Sequence, residues 1–235
     1  MSTPEATAAA VRELTFGQAI NEALAEELRR GGVRVRTAAV DLGDPGVVPA
    51  VKRLVGEDEV GLLVYNAAAS AIGPFLEVPA EAHLRVLEVN CRGPLLLAHL
   101  LGRPMARRGR GGILLMASLA GSQGSPLVAS YAASKAFAIV LAEGLWAELR
   151  EKGVDVVACR AGATRTPAYL ATRPRREVPL LQPDDVAAEA LAALGRGPTV
   201  VPGALNKAVA FALSRLLPRR AAIAVMGRGT RRLYG

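Results

Sequence analysis

Short apolar runs alternate with long stretches of helical periodicity along this chain. That alternation predicts an open α/β fold with a mostly parallel sheet of about five strands and helices on both faces. Residues 60–65, Val-Gly-Leu-Leu-Val-Tyr, form a short run apolar throughout, as a central parallel strand buried on both sides requires. The composition agrees. Half of the chain is hydrophobic (51%) but aromatics are only 4%, so the core is built mostly of Ala, Val and Leu, which suits helices packed on a parallel sheet. A length of 235 residues with no dividing linker reads as a single domain, 1–235.

The elements follow in order. Thr3-Pro4-Glu5 is a helix start, and Val11, Leu14, Ile20, Leu24 and Leu28 continue near helical spacing to a stop at Gly31-Gly32. This makes 1–30 an N-terminal helix. Residues 33–40 alternate as a strand and close in a loop at Asp41-Leu42; 45–55 suits a helix and 60–65 a strand. A helix over 79–101, a strand at 112–117, a helix over 131–152, a strand at 154–159 and a short strand at 199–201 complete the pattern, with a helical tail over 203–235. In such sheets ligands bind beyond the carboxyl ends of the strands. Asp41, Asn66, Ser118 and Gly162 each come just after one.

The formal charge of +8 comes almost wholly from Arg, since Lys occurs only at 52, 135, 152 and 207. The basic residues are spread out, with no aromatic-interleaved stripe of the kind a nucleic-acid surface needs, so no nucleic-acid partner is expected. Cys91 and Cys159 lie in mostly apolar stretches without metal or redox spacing and read as free thiols of a reducing cytoplasm. The N-terminus carries no signal pattern, and no uncharged apolar run approaches membrane-spanning length, so a soluble cytoplasmic protein is expected.

The chemistry concentrates around Tyr131-Ala132-Ala133-Ser134-Lys135. Four residues apart on a helix, Tyr131 and Lys135 share a face. A neighbouring ammonium favours phenolate and is expected to lower the tyrosine pKa, making the phenol a proton exchanger for an alcohol or carbonyl oxygen. Thirteen residues upstream, at the end of a strand, Ser118 opens a loop of small residues and offers a hydroxyl to the same oxygen. Asn90 lies inside a helix, where a buried amide is tolerated only if fully paired.

With these residues in register, the chain resembles the short-chain dehydrogenase/reductase family over about 31–202. The matching pieces are Asn66-Ala67-Ala68-Ala69-Ser70, Asn90, Ser118, Tyr131 with Lys135, and the run from Ala161 and Gly162 through Thr164 to Thr166. The resemblance implies a Rossmann-like fold and an NAD(P)-dependent oxidoreductase that passes hydride between nicotinamide and a ketone or secondary alcohol. It implies that Tyr131 is the acid/base, that Ser118 polarises the substrate oxygen, and that Lys135 tunes Tyr131 and holds the nicotinamide ribose. Asn90 would hold a proton-relay water. Asp41 and Leu42 would contact adenine, Asn66, Ala67 and Ala68 would border the cofactor, and Gly162, Thr164 and Thr166 would meet its carboxamide end. Position 161, usually proline in that loop, is Ala here, which loosens the turn. A homodimer or homotetramer is the implied assembly.

The family's opening strand, glycine-rich Gly-x-x-x-Gly-x-Gly turn, helix and second strand have no counterpart in these 235 residues, so the sequence reads as truncated at the N-terminus. Two consequences are expected. The strand at 33–40 slides over to pair directly with 60–65, and cofactor binding is weak or lost. NAD cannot be told from NADP. A second reading stays open: a cofactor-binding-deficient, non-catalytic relative that serves as a binding or dimeric partner protein. The substrate, a ketone or alcohol with a lipophilic one fitting, would meet 69–75, the loop after Ser118 and 167–183. The tail, rich in apolar and Arg positions, is read as a lid over this pocket in preference to a membrane-surface contact.

Overall fold

The sheet forms where bulky apolar residues run together. In the computed structural model, which describes residues 36–167, 169 and 179–234, four parallel strands stand in the order β1-β2-β3-β4. They are β1 Leu62–Tyr65, β2 Gly111–Ser118, β3 Val154–Ala161 and β4 Thr199–Val200. β2 and β3 pair over eight residues, from Gly111 with Val154 to Ser118 with Ala161. Between them run α1 Val47–Val55 before the sheet, then α2 Ala80–Leu87 and α3 Gly93–Arg108 ahead of β2. Helix α4, Ala129–Leu149, joins β2 to β3, and α5, Pro183–Ala192, joins β3 to β4. The chain continues with α6 Ala204–Phe211 and α7 Arg219–Tyr234.

Helices cover both faces, because side chains alternate across each strand. On one face Val186 and Ala190 of α5 pack on Leu114, Val157 and Cys159. On the other, α3 brings Gly102 against Ile113, 3.4 Å from where a Cβ would stand. This second contact explains why α3 runs past the expected end at 101: Met105 is fully buried, so packing carries the helix through Pro104 to a left-handed cap at Gly109. At the base of the sheet Gly153 (φ 70°) lies so close to the Gly109 carbonyl that a Cβ would come within 2.0 Å of it. Only glycine fits there.

The amino-terminal expectations fare differently. The helix expected within 1–30 and residues 33–35 lie outside the described residues. Residues 36–40 are not a strand, and β2 is the only strand neighbour of β1 among the described residues. The expected direct pairing with 60–65 is not seen among the described residues. Arg36 to Ala39 are exposed and carry no bulky apolar side chain on either face, so pairing would bury little. Among the described residues β1 is thus the edge strand of a four-stranded sheet, where about five strands were expected. The chain divides into two compact units, 1–41 and 42–235. No helix among the described residues is long and apolar enough to cross a membrane.

Candidate active site

Strand β2 delivers Ser118 at its carboxyl end. There the Ser118 Oγ accepts a hydrogen bond from the Ala120 amide (3.2 Å) and caps a 3₁₀ turn, Leu119–Ser122. The loop then presses against α4: a Cβ on Gly121 would stand 2.6 Å from the Lys135 carbonyl carbon. Before α4 begins, Leu127 adopts a left-handed φ of 65°, a conformation disfavoured for leucine, and its carbonyl accepts from the Gly73 amide at 2.8 Å. That bond ties the loop after β1 to the start of the helix that carries Tyr131.

On α4, Tyr131 and Lys135 face the same space, with the Lys135 Nζ 5.6 Å from the phenol ring centroid. The Ser118 side chain stands close enough to the phenol to pull its pKa down. The two oxygens therefore address one position, at the carboxyl end of a parallel strand where this architecture binds ligands. The lysine is buried, and among the described residues its Nζ donates one hydrogen bond, to the Met116 carbonyl (2.7 Å). An ammonium has three donors. The remaining two suit the hydroxyls of a ribose.

The electrostatics correct one expectation. Burial raises the Tyr131 pKa above its ordinary value of 10; the Ser118 side chain pulls it back and the nearby Tyr234 phenol pushes it up. The expected lowering by Lys135 does not govern the phenol. Burial instead depresses the lysine, from 10.5 to about 8, with Cys91 nearby acting the other way. A cation that is itself costly to charge is a weak source of stabilisation for a phenolate.

Asn90 sits in a single π-helical turn, Glu88–Arg92, between α2 and α3; such turns are frequent at functional sites. Its Oδ1 accepts from the Ala69 amide (2.7 Å), and its Nδ2 donates to the Ala69 carbonyl (2.8 Å) and to Ser134 Oγ (2.9 Å). Ser134 in turn donates to the Tyr131 carbonyl at 2.8 Å. Both amide hydrogens and one lone pair of Oδ1 are committed to protein groups, so Asn90 clamps the loop after β1 to α4 and keeps one acceptor position on Oδ1.

The remaining expected residues are spread along the same edge. Asn66, Ala67 and Ala68 follow β1 directly, with Asn66 exposed. Gly162 follows β3, and Thr164 donates to its carbonyl (3.1 Å) while pairing with Leu181. Thr166 Oγ1 accepts from the Tyr169 amide at 3.1 Å. Leu42 belongs to the same unit as the site, its carbonyl 3.2 Å from where a Cβ on Gly93 would stand. Asp41 is an exposed residue of the first unit. The expected substrate wall at 167–183 falls largely outside the described residues.

Sequence reasoning missed Ser134, Leu127 and Tyr234. Ser134, three residues after Tyr131, carries a readable signal, since a serine in the middle of a helix often bonds back to a carbonyl. Leu127 and Tyr234 carry none. Helix α7 packs on the loop after Ser118: Ile223 lies 4.0 Å and Pro126 3.1 Å from where Cβ atoms on Gly124 and Gly227 would be, and Arg219 donates to the Ser122 carbonyl (2.8 Å).

Comparison with known proteins places this geometry. The family model for short chain dehydrogenase matches residues 7–177. A 7beta-hydroxysteroid dehydrogenase of Collinsella aerofaciens is 30% identical over 191 residues, covering 78% of this chain and 73% of the relative. A very-long-chain 3-oxoacyl-CoA reductase of Ajellomyces capsulatus is 32% identical over 208 residues, covering 83% of this chain but only 61% of the relative. Among solved structures, one described for 7beta-hydroxysteroid dehydrogenase stereoselectivity superposes with a TM-score of 0.80 at 28% identity, covering 87% of this chain and 82% of that one. A short-chain dehydrogenase of Sphingobium yanoikuyae in complex with NADPH gives 0.70 at 29% identity, covering 78% and 73%.

Proposed function

Because this chain belongs to the short-chain dehydrogenase family and is an NAD(P)-dependent oxidoreductase of that family, we propose that its site interconverts a lipophilic ketone and a secondary alcohol, with Tyr131 moving the proton. The observation that carries this reading is the convergence of Ser118, which acts on the Tyr131 phenol, with Tyr131 and the buried Lys135 at the carboxyl end of β2. In reduction Tyr131 donates its phenolic proton to the developing alkoxide while the Ser118 hydroxyl stabilises the same oxygen; in oxidation Tyr131 takes the proton back. Burial supports the acid role, since a raised pKa keeps the phenol protonated through neutral pH. The nicotinamide, when bound, gives or accepts the hydride. Lys135 and Tyr131 would hold its ribose, Asn66, Ala67 and Ala68 its flank, and Gly162, Thr164 and Thr166 its carboxamide end. Asn90 and Ser134 act as positioning residues for Tyr131.

A lipophilic substrate is supported by the relatives named for hydroxysteroids and very-long-chain 3-oxoacyl-CoA, and by the apolar, exposed Ile72, Phe75 and Leu76 on the loop after β1. The family match runs across residue 41, which supports reading 1–235 as one family domain. Exposed Leu84, Leu87, Leu95 and Val140 on α2, α3 and α4 support an isologous homodimer through those helices.

Incubation with NADPH and a panel of ketones tests the reading through the loss of nicotinamide absorbance. Turnover is expected, and Tyr131→Phe is expected to lower it by ~10²–10⁴-fold with the fold retained. Turnover unchanged in that variant would sink the assignment. With no Gly-x-x-x-Gly-x-Gly turn in these residues, calorimetric titration of the 235-residue chain is expected to give NAD(P)H binding weaker than micromolar.

A further inference from the structure

Residues 201–235 carry six arginines and Lys207 but no aspartate or glutamate. Lys207 is neutralised by Glu189 of α5 at 2.8 Å. Arg215, Arg219, Arg220, Arg228, Arg231 and Arg232 are all exposed, and none is ion-paired among the described residues. The same segment presents large apolar side chains to solvent: Leu205 is 62%, Phe211 60% and Leu216 66% exposed, with Val209 and Val225 also uncovered. Leu216 and Leu217 stand at the turn between α6 and α7, flanked by Arg215 on one side and by Arg219 and Arg220 on the other.

Helix α7 has two faces. Ala222, Gly227 and Thr230 are buried and Ile223, Met226 and Tyr234 are half-buried, an inner stripe at helical spacing on the side of the Ser118 loop. Arg220, Val225, Arg228 and Arg232 form the outer stripe. Packing on the Ser118 loop uses the first stripe and leaves the second without a partner among the described residues.

We propose that the outer face of α6, the Leu216-Leu217 turn and α7 docks on an anionic membrane surface. Phe211, Leu216 and Leu217 would enter the headgroup boundary, and the arginines would reach lipid phosphates with their stems along the apolar layer. Charge complementarity selects this occupant. An isologous second copy would set Arg215, Arg220, Arg228 and Arg232 of one chain against the same cations of the other, a repulsive contact, whereas a bilayer of acidic lipid meets both the charge and the apolar surface. The inference is independent of the catalytic reading.

Vesicle co-sedimentation of the full chain tests it. The chain is expected to pellet with phosphatidylcholine–phosphatidylserine vesicles, to pellet poorly with phosphatidylcholine alone, and to be released by high salt. Phe211→Ser with Leu216→Ser is expected to abolish pelleting, and Arg215→Gln, Arg220→Gln and Arg228→Gln together to lower the partition coefficient on the order of 100-fold. A thermal melt shows that each variant is folded, and the charge variant serves if the apolar one is not. No pelleting with anionic vesicles overturns the proposal, as does equal pelleting with neutral ones. So does an apolar variant that changes the oligomeric state while pelleting as before.

Discussion

The two ends of the sheet differ. In β3, Val154, Val156, Val157, Ala158 and Cys159 are fully buried, and β2 beside it buries Ile113, Leu114 and Leu115 almost as completely. At the other end β1 leaves Leu62 39% and Val64 48% exposed. Ser118, Tyr131 and Lys135, the proposed proton-handling groups, stand on the closed half. Asn66, Ala67 and Ala68, expected beside the cofactor, follow the open edge strand. The proposed catalytic groups are thus held by a dense core, whereas the proposed cofactor side rests on a strand paired on one flank among the described residues.

Substitutions can break or sharpen this contrast. The largest effect is expected from Leu114→Ala at the centre of the closed half, which leaves a cavity against Val157, Cys159 and Val186 and costs ~2–5 kcal/mol by urea denaturation. A loss under ~1 kcal/mol there would dissolve the distinction.

Next comes Lys135→Met, with the opposite sign. The folded chain holds this lysine at about 8 against an ordinary 10.5, so the folded form releases its proton first. The burial cost is fully present below pH 8 and is relieved as pH rises from about 8 to 10.5, where the unfolded chain binds more protons. Lys135→Met is expected to stabilise the fold at neutral pH by roughly 3 kcal/mol and to flatten the rise in Tm over that alkaline range, while turnover is lost. An unchanged pH profile would show that the ammonium is not destabilised.

Asn90→Ala releases Ala69 and Ser134 and leaves backbone groups unpaired, an expected loss of ~1–3 kcal/mol by denaturation together with a fall in kcat. Asn90→Asp, which keeps the acceptor for the Ala69 amide, should retain part of the stability. The smallest change belongs to the open edge: Val64→Thr is expected to shift stability by less than about 0.5 kcal/mol. A larger loss would mean that β1 is covered in solution.

Much of the fold was legible because its signals are local. The apolar runs that became β2 and β3 and the periodicity that became α4 depend on neighbouring residues, and the Tyr131–Lys135 face needs only the pitch of a helix. The end of α3 was misread because Gly102 and Pro104 are stop signals by propensity, and only the burial of Met105 against the sheet overrides them. Over 36–40, the described part of the strand expected at 33–40, no strand forms for a related reason. Alternation is a pattern, but a strand also needs a neighbour and something to bury, and Arg36 to Ala39 offer little.

By itself, then, the sequence determined the parallel α/β order, which follows from spacing along one chain, and it put forward the proposed acid/base set through its motifs in register. Tertiary structure alone decided the state of those groups. Burial raises the phenol of Tyr131 and lowers Lys135, and Asn90 reaches Ala69 and Ser134 across 21 and 44 residues of sequence. Desolvation and long-range hydrogen bonds depend on which atoms surround a group in space, and no local pattern of residues encodes that.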